Sequence, residues 1–277
     1  MTPADSRSTS SRRLLLFFVL AFGFSWAFWV PEALVAEGVL AGWPTLPALG
    51  AFGPSVAGFV MAYADRGRAG VSDLAARTVD TGFAPRWLVV ALVLFPLLAV
   101  LALGYATSQG VEPAYPWAGD LVVLPAAFVF ILLLGGPVQE EFGWRGYALD
   151  PLQGRLGATG GGAVLGLAWG LWHLPLFYVP TQTVYYNRPM WGLFVSIVML
   201  SVLMTWVYNN TGGSLLVMLL MHTAFNWSHG MLPSLESDAG ALAFLALQAV
   251  VTLAVVVYFG AGDLVRDRPA GAAPASD

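Results

Sequence analysis

The chain has no cysteine among its 277 residues. Disulfide bonds, thiolate metal sites and cysteine nucleophiles are therefore excluded, and so is lipid attachment through a cysteine. Lysine is absent as well, so all twelve basic residues are arginine. Charged residues make up only 10% and hydrophobic residues 58% of the chain, whereas a soluble globular domain carries about 25% charged residues. This composition predicts a protein that crosses a membrane several times.

Apolar runs near the roughly 20 residues needed to cross a bilayer occur about eight times. They lie at about 14–30, 45–64, 87–105, 122–146, 161–178, 191–208, 213–232 and 241–260. The first run follows two arginines, as in a signal peptide, but it is longer than the usual signal core and no clear cleavage site follows it. We therefore expect an uncleaved first span in an all-α membrane protein of about eight transmembrane helices.

The arginines are distributed unevenly about these spans. With eight spans, eleven of the twelve fall on one side of the membrane and only Arg188 falls on the other. Arginine-rich loops stay in the cytoplasm, so both termini are expected there. The chain then divides into a cytoplasmic segment at 1–13, one transmembrane domain at 14–262 and a disordered cytoplasmic tail at 263–277. We expect a multi-pass protein of a prokaryotic plasma membrane, with the lipid bilayer and no nucleic acid as partner.

Several polar side chains lie in or at the end of these apolar runs. They are Glu140, Glu141, Arg145, His173, His222 and Asn226. An ionisable group in hydrocarbon costs roughly 2.5–3.5 kcal/mol on insertion scales. Several such groups in one small protein are hard to explain unless they converge on a common site. The pattern therefore predicts an active site within the bilayer.

The two adjacent glutamates are followed by an arginine at helical spacing. Glu141 and Arg145 are four residues apart, so they share a helix face in the favourable acid-before-base order, whereas Glu140 points about 100° away. An ordinary charged helix end is the alternative interpretation. Two neighbouring carboxylates repel one another, however, so Arg145 can hold one ionised and leave the other suited to proton transfer near neutrality.

The histidines come from two later runs. Counted from Ala163 at about 1.5 Å per residue, His173 lies about 15 Å into its helix, near the middle of the bilayer, and His222 reaches a similar depth. A lone histidine is more often a core residue, but polar side chains at this depth usually mark function. Asn226 is four residues after His222 and shares its face. His229 is interpreted as interfacial, with a supporting role at the site as the alternative.

These residue types allow two kinds of chemistry. A glutamate and a histidine can deprotonate water, while a second histidine and an asparagine amide stabilise an oxyanion. Glu140, His173 and His222 could instead hold Zn²⁺, because one carboxylate and two imidazoles form a catalytic ligand set with an open position. The His-Glu-x-x-His signature of zinc proteases is absent. The residues alone leave metal-dependent and metal-independent catalysis open.

The order of these motifs resembles that of the CPBP intramembrane proteases. Glu140-Glu141-x-x-x-Arg145, then an aromatic residue four before a histidine, then His222-x-x-x-Asn226 are similar to the three motifs of this family. The family includes the CAAX prenyl endopeptidases and bacterial relatives linked to bacteriocin processing and immunity. The resemblance covers about residues 120–235, which would form the catalytic core. Trp169 begins the second motif, where the family commonly has phenylalanine, and we expect it to serve in packing.

The resemblance implies a role for each polar residue. Glu140 and His173 would activate the attacking water, and His222 and Asn226 would bind the scissile carbonyl and its oxyanion. Glu141 and Arg145 would be supporting residues.

The implied function is that of a glutamate-dependent intramembrane endopeptidase whose substrate is a peptide or a membrane protein, with or without a prenyl group. Two alternatives stay open. One is a non-catalytic scaffold or bacteriocin-immunity protein of the same fold. The other is a proton-coupled transporter, which the lack of an internal repeat disfavours.

Overall fold

The structure, a computed structural model, describes residues 3–42, 46–186 and 188–266, with side chains described from residue 11 onward. Within these ranges the chain is helical and has no strand, which confirms the all-α prediction. The helices are α1 (Pro3–Ala36), α2 (Pro47–Gly50), α3 (Gly53–Ala76), α4 (Arg86–Ser108), α5 (Val123–Leu134), α6 (Pro137–Gly143), α7 (Leu149–Trp172), α8 (Met190–Asn210), α9 (Leu215–Met231) and α10 (Asp238–Phe259). Most of the predicted disordered tail lies outside the described residues.

Each of the eight predicted apolar runs overlaps one of these helices. Five helical segments in the described part are long and apolar enough to cross a membrane, and there are six if the bent pair around residue 135 forms one span. They are Ser11–Ala36, Pro47–Ala76, Arg86–Ser108, Met190–Asn210 and Asp238–Phe259, with Val123–Leu134 plus Pro137–Tyr178 as the bent pair. The chain is thus a multi-pass membrane protein. The count of eight spans and the cytoplasmic termini stay predictions.

The predicted fourth span, 122–146, is interrupted near its middle. The path bends by 40° between α5 and α6, because Gly136 has a φ of +118°, which residues with a side chain rarely adopt. Pro137 then begins α6, where its missing N–H is not needed. The helical path continues through a π-helical turn, Trp144–Ala148, into α7. Glu140 therefore lies near the start of a helix, and the interruption precedes it.

The helices around this interruption pack closely through glycines. A Cβ on Gly58 of α3 would lie 2.6 Å from the carbonyl oxygen of Phe142 on α6. A Cβ on Gly162 of α7 would lie 2.6 Å from Oγ1 of Thr205 on α8. Small residues let helix backbones approach one another, and van der Waals packing drives helix association in membranes. The path of α6 and α7 is fixed in this way between α3 and α8.

Candidate active site

The side chain of Glu140 is buried on α6, with 5% of its surface exposed. Two indole groups donate hydrogen bonds to one of its carboxylate oxygens, Oε2. Trp169 Nε1 on α7 donates at 2.5 Å and Trp144 Nε1 on the π-helical turn donates at 3.2 Å. The orientation of the carboxylate is therefore set by two neighbouring tryptophans.

The other oxygen, Oε1, lies next to Gly136. A Cβ at Gly136 would lie 2.8 Å from Glu140 Oε1, 3.3 Å from Asn226 Nδ2 and 3.5 Å from His222 Cε1. Three polar groups from α6 and α9 thus surround the position where residue 136 lacks a side chain. Asn226 Nδ2 also donates to the carbonyl oxygen of Gly135 at 2.9 Å, which leaves its second amide hydrogen for another acceptor.

Glu141 binds both Arg145 and His222. Its Oε1 accepts hydrogen bonds from Arg145 Nη1 at 2.9 Å and from His222 Nδ1 at 2.7 Å. The side chains of Glu141 and Arg145 have no exposed surface and that of His222 is 3% exposed. Because an ionised carboxylate only accepts hydrogen bonds, Nδ1 of His222 carries a hydrogen, and its Nε2 stays available. Glu141 therefore orients His222 directly.

This burial corrects the assignment of Arg145 to a cytoplasmic loop. The charge count treated Arg145 as the residue that follows the fourth span, but it lies inside the bundle with 0% of its surface exposed. The reason is that the helical path continues past it into α7. Arg145 therefore carries no weight in the orientation argument.

His173 directly follows the last residue of α7. Its Nδ1 lies 2.8 Å from the carbonyl oxygen of Trp169. Since a carbonyl can only accept, Nδ1 carries the hydrogen and Nε2 has a free lone pair. The ring packs against Trp172 at 4.7 Å and against Tyr185 at 5.2 Å between centroids. Trp169 thus links the two proposed water-activating groups, through its carbonyl to His173 and its indole to Glu140.

Comparison with known proteins finds a similarity that covers these residues. A family model described as type II CAAX prenyl endopeptidase Rce1-like matches residues 122–228, which include Glu140, His173, His222 and Asn226. CAAX prenyl protease 2 of Methanococcus maripaludis is 28% identical over 182 residues. The chain is thus similar to this family over residues 122–228. The match with the relative covers 62% of this chain and 65% of the relative, just under two thirds of the relative's length.

Sequence reasoning missed three contributors to the site. The sequence did not indicate the role of Gly136, because one glycine in a glycine-rich chain does not by itself predict a positive φ. Trp144 follows Glu140 by four residues, so its position on the same helix face was a usable signal. Tyr185 lies in the loop before α8, and only the folded chain brings it to His173. Burial and the charge of Glu140 raise the pKa of Tyr185 above its ordinary value, which keeps the phenol neutral and able to donate.

His229 packs edge-on between two aromatic rings. The centroid of its ring is 4.5 Å from that of Phe225 and 4.5 Å from that of Phe244. These contacts lie between α9 and α10. The interfacial interpretation of His229 stays a prediction.

The zinc alternative does not fit this geometry. The described residues include no group of three His, Asp or Glu side chains spaced to hold a metal ion. Glu140, His173 and His222 are therefore not placed together as the ligands of one Zn²⁺.

Substitution of Gly136 by alanine is expected to lower the peptide-cleaving activity proposed below by at least about 100-fold, because displacement of reacting groups by about 1 Å has effects of that size. The new Cβ would lie only 2.8 Å from Glu140 Oε1, and the alanine would have to adopt a φ of +118°. The measurement is kcat/KM for a cleaved peptide. Gly212→Ala is the matched control, since Gly212 also has a positive φ (+63°) but nothing within 4 Å of a Cβ. Equal activity in both variants would contradict the role of this space.

Proposed function

We propose that the protein is an intramembrane endopeptidase that hydrolyses a peptide bond with a water activated by Glu140 and His173. The observation that carries the proposal is the convergence of Glu140 Oε1, Asn226 Nδ2 and His222 on the space at Gly136. A base and donors for an oxyanion thus surround one position, as acyl transfer to water requires. The family match supports the same reaction class.

The first step is addition of water to the scissile carbonyl. Glu140 Oε1 takes a proton from the water while the water oxygen bonds to the carbonyl carbon. Glu140 is buried and its carboxylate is held by two tryptophans, so the base is positioned for this transfer. His173 Nε2 accepts a hydrogen bond from the second hydrogen of the same water, because its Nδ1 already donates to the Trp169 carbonyl.

The carbonyl oxygen becomes negatively charged in this step. The free amide hydrogen of Asn226 is the first donor to it. His222 is the second: its Nδ1 donates to Glu141, and an imidazole that carries a hydrogen on both nitrogens also donates from Nε2. The C–N bond then breaks, and the proton held by Glu140 passes to the leaving nitrogen. The products are a free carboxyl group and a free amine, so atoms and charge balance.

The substrate we propose is a peptide or a membrane protein whose scissile bond enters the bundle from the bilayer. Every group in the mechanism is at least nine-tenths buried except Asn226, so the scissile bond must reach a site inside the helices. The relative is named for prenylated CAAX substrates. For this chain a prenyl group is a testable extension, and the proposed location is a prokaryotic plasma membrane.

The test is cleavage of a quenched fluorescent peptide library by the purified protein in detergent. The library contains each CAAX peptide in farnesylated and unmodified form, and the reaction is run in H₂¹⁸O. We expect cleavage by the wild type, none by Glu140→Gln, and one ¹⁸O atom in the new carboxyl group. Equal cleavage by both proteins would reveal a contaminating protease. No cleavage by either protein would overturn the proposal in favour of a non-catalytic scaffold.

A further inference from the structure

We propose that Trp169 and Trp144 are positioning residues that hold Oε2 of Glu140, so that Oε1 alone serves as the base. We call the two indole N–H groups the indole clamp. The proposal rests on the function proposed above, since it assigns the base to one atom of Glu140. It also gives Trp169 a role beyond the aromatic packing expected from its sequence position.

The clamp is asymmetric with respect to the carboxylate. Both indole nitrogens donate to Oε2, at 2.5 and 3.2 Å. The other oxygen faces the space that Asn226 and His222 border. A carboxylate has about four acceptor positions on two oxygens, and here both protein donors use the same oxygen. Rotation of the carboxylate would break both bonds, so the oxygen that faces the substrate is fixed.

An indole suits this task because it donates and cannot accept. Its N–H therefore holds the carboxylate and does not compete for the proton that Oε1 takes from water. A serine or a histidine at either position would offer an alternative proton acceptor. Hydrogen bonds to an ionised oxygen are roughly twice as strong as neutral ones, which matches the short Trp169 bond. The tryptophans act through Glu140 and do not touch the reacting atoms.

Trp169 is itself held in place by charged and aromatic neighbours. The guanidinium carbon of Arg145 lies 4.3 Å from the centroid of its ring, a cation–π distance. The ring of His222 meets it edge-on at 5.1 Å. The side chain is 2% exposed, and that of Trp144 is fully buried. The indole clamp is therefore part of the same packed unit as the Glu141–Arg145–His222 group.

Replacement by phenylalanine keeps an aromatic ring and removes the N–H. We expect Trp169→Phe to lower kcat by about 10- to 100-fold with KM within about twofold, because the orientation of the base affects the chemical step. Trp144→Phe is expected to have a smaller effect, since its bond is longer (3.2 Å). The double variant, with phenylalanine at both positions, lacks both hydrogen bonds to Oε2. Its activity should therefore approach that of a protein in which the Glu140 carboxylate rotates freely.

Trp29→Phe is the matched control. Trp29 is 3% exposed and its Nε1 donates at 2.8 Å to the carbonyl oxygen of Pro47, so this variant also loses a buried indole hydrogen bond, but not one to Glu140. Thermal unfolding in detergent should fall similarly in Trp29→Phe and Trp169→Phe, while only the latter loses kcat. Equal kcat in these two variants, or a matching rise in KM, would overturn the proposal.

Ultraviolet resonance Raman spectroscopy tests the clamp without any substrate. The difference spectrum of wild type minus Trp169→Phe should show a strongly hydrogen-bonded indole, and Glu140→Ala should lose the same signal. A weakly bonded indole in that spectrum would refute the clamp even in an active protein. If the peptide library is not cleaved at all, the proposed function fails, and the Raman signal still decides whether the clamp exists.

Discussion

Glutamine at position 140 is expected to lower the rate of peptide cleavage by about 100- to 10,000-fold while the protein stays folded, since that is the usual contribution of a positioned general base. Glutamine has nearly the size of glutamate, and its amide oxygen can accept both indole hydrogen bonds. Its NH₂ group would then take the place of Oε1, where it cannot accept a proton from water.

The measurement is kcat/KM with the best library substrate, together with thermal unfolding in the same detergent. Stability should not fall, because glutamine removes a buried carboxylate whose desolvation is unfavourable. Glu37→Gln is the control for the chemical change, since Glu37 is exposed at the end of the first helix region. Retained activity in Glu140→Gln would rule out Glu140 as the base.

Replacement of Arg145 by methionine is expected to destabilise the fold by about 3–5 kcal/mol, the usual effect of removing one partner of a buried ion pair. Methionine fills much of the arginine volume, so the loss of stability reflects the missing charge more than missing packing contacts. Glu141 would keep its buried carboxylate and lose the guanidinium at 2.9 Å. Activity should fall as well, because the same oxygen of Glu141 binds His222.

A double variant separates the two contributions. Arg145→Met with Glu141→Gln removes both charges, and well-packed neutral replacements of buried ion pairs are often close to neutral in stability. We therefore expect the double variant to unfold near the wild-type temperature while its activity stays low, since His222 loses its carboxylate partner. An Arg145→Met protein as stable as the wild type would show that the pair carries no stabilising role.

Some of the geometry could be predicted from spacing along one helix. Glu141 and Arg145, four residues apart, form a hydrogen-bonded pair. His222 and Asn226, also four apart, both border the space at Gly136. In each case the helical period fixes which side chains share a face, whatever the rest of the fold does. The all-helical class was predicted separately, from the high apolar content of the chain.

The contacts between helices could not be predicted from spacing. His222 and Glu141 are 81 residues apart, and Trp169 and Glu140 are 29 apart, so no periodicity relates them. The bend at Gly136 was also hidden, because hydropathy averages over the residues that interrupt a helix. Arg145 was counted among the arginines on the cytoplasmic side, whereas it is buried inside the bundle.

The hydrogen bond from Asn226 to the carbonyl oxygen of Gly135 connects a proposed catalytic side chain to a helix at the edge of the bundle. Gly135 is the last residue of the turn that ends α5, and α5 has no buried side chain in the described structure. The amide of Asn226, which is proposed to stabilise the oxyanion, thus also holds the end of α5, a helix with no buried side chain of its own. A change in lipid composition or bilayer thickness that shifts α5 would also shift that amide, so the rate of the proposed peptide cleavage should depend on the bilayer in which the protein is reconstituted.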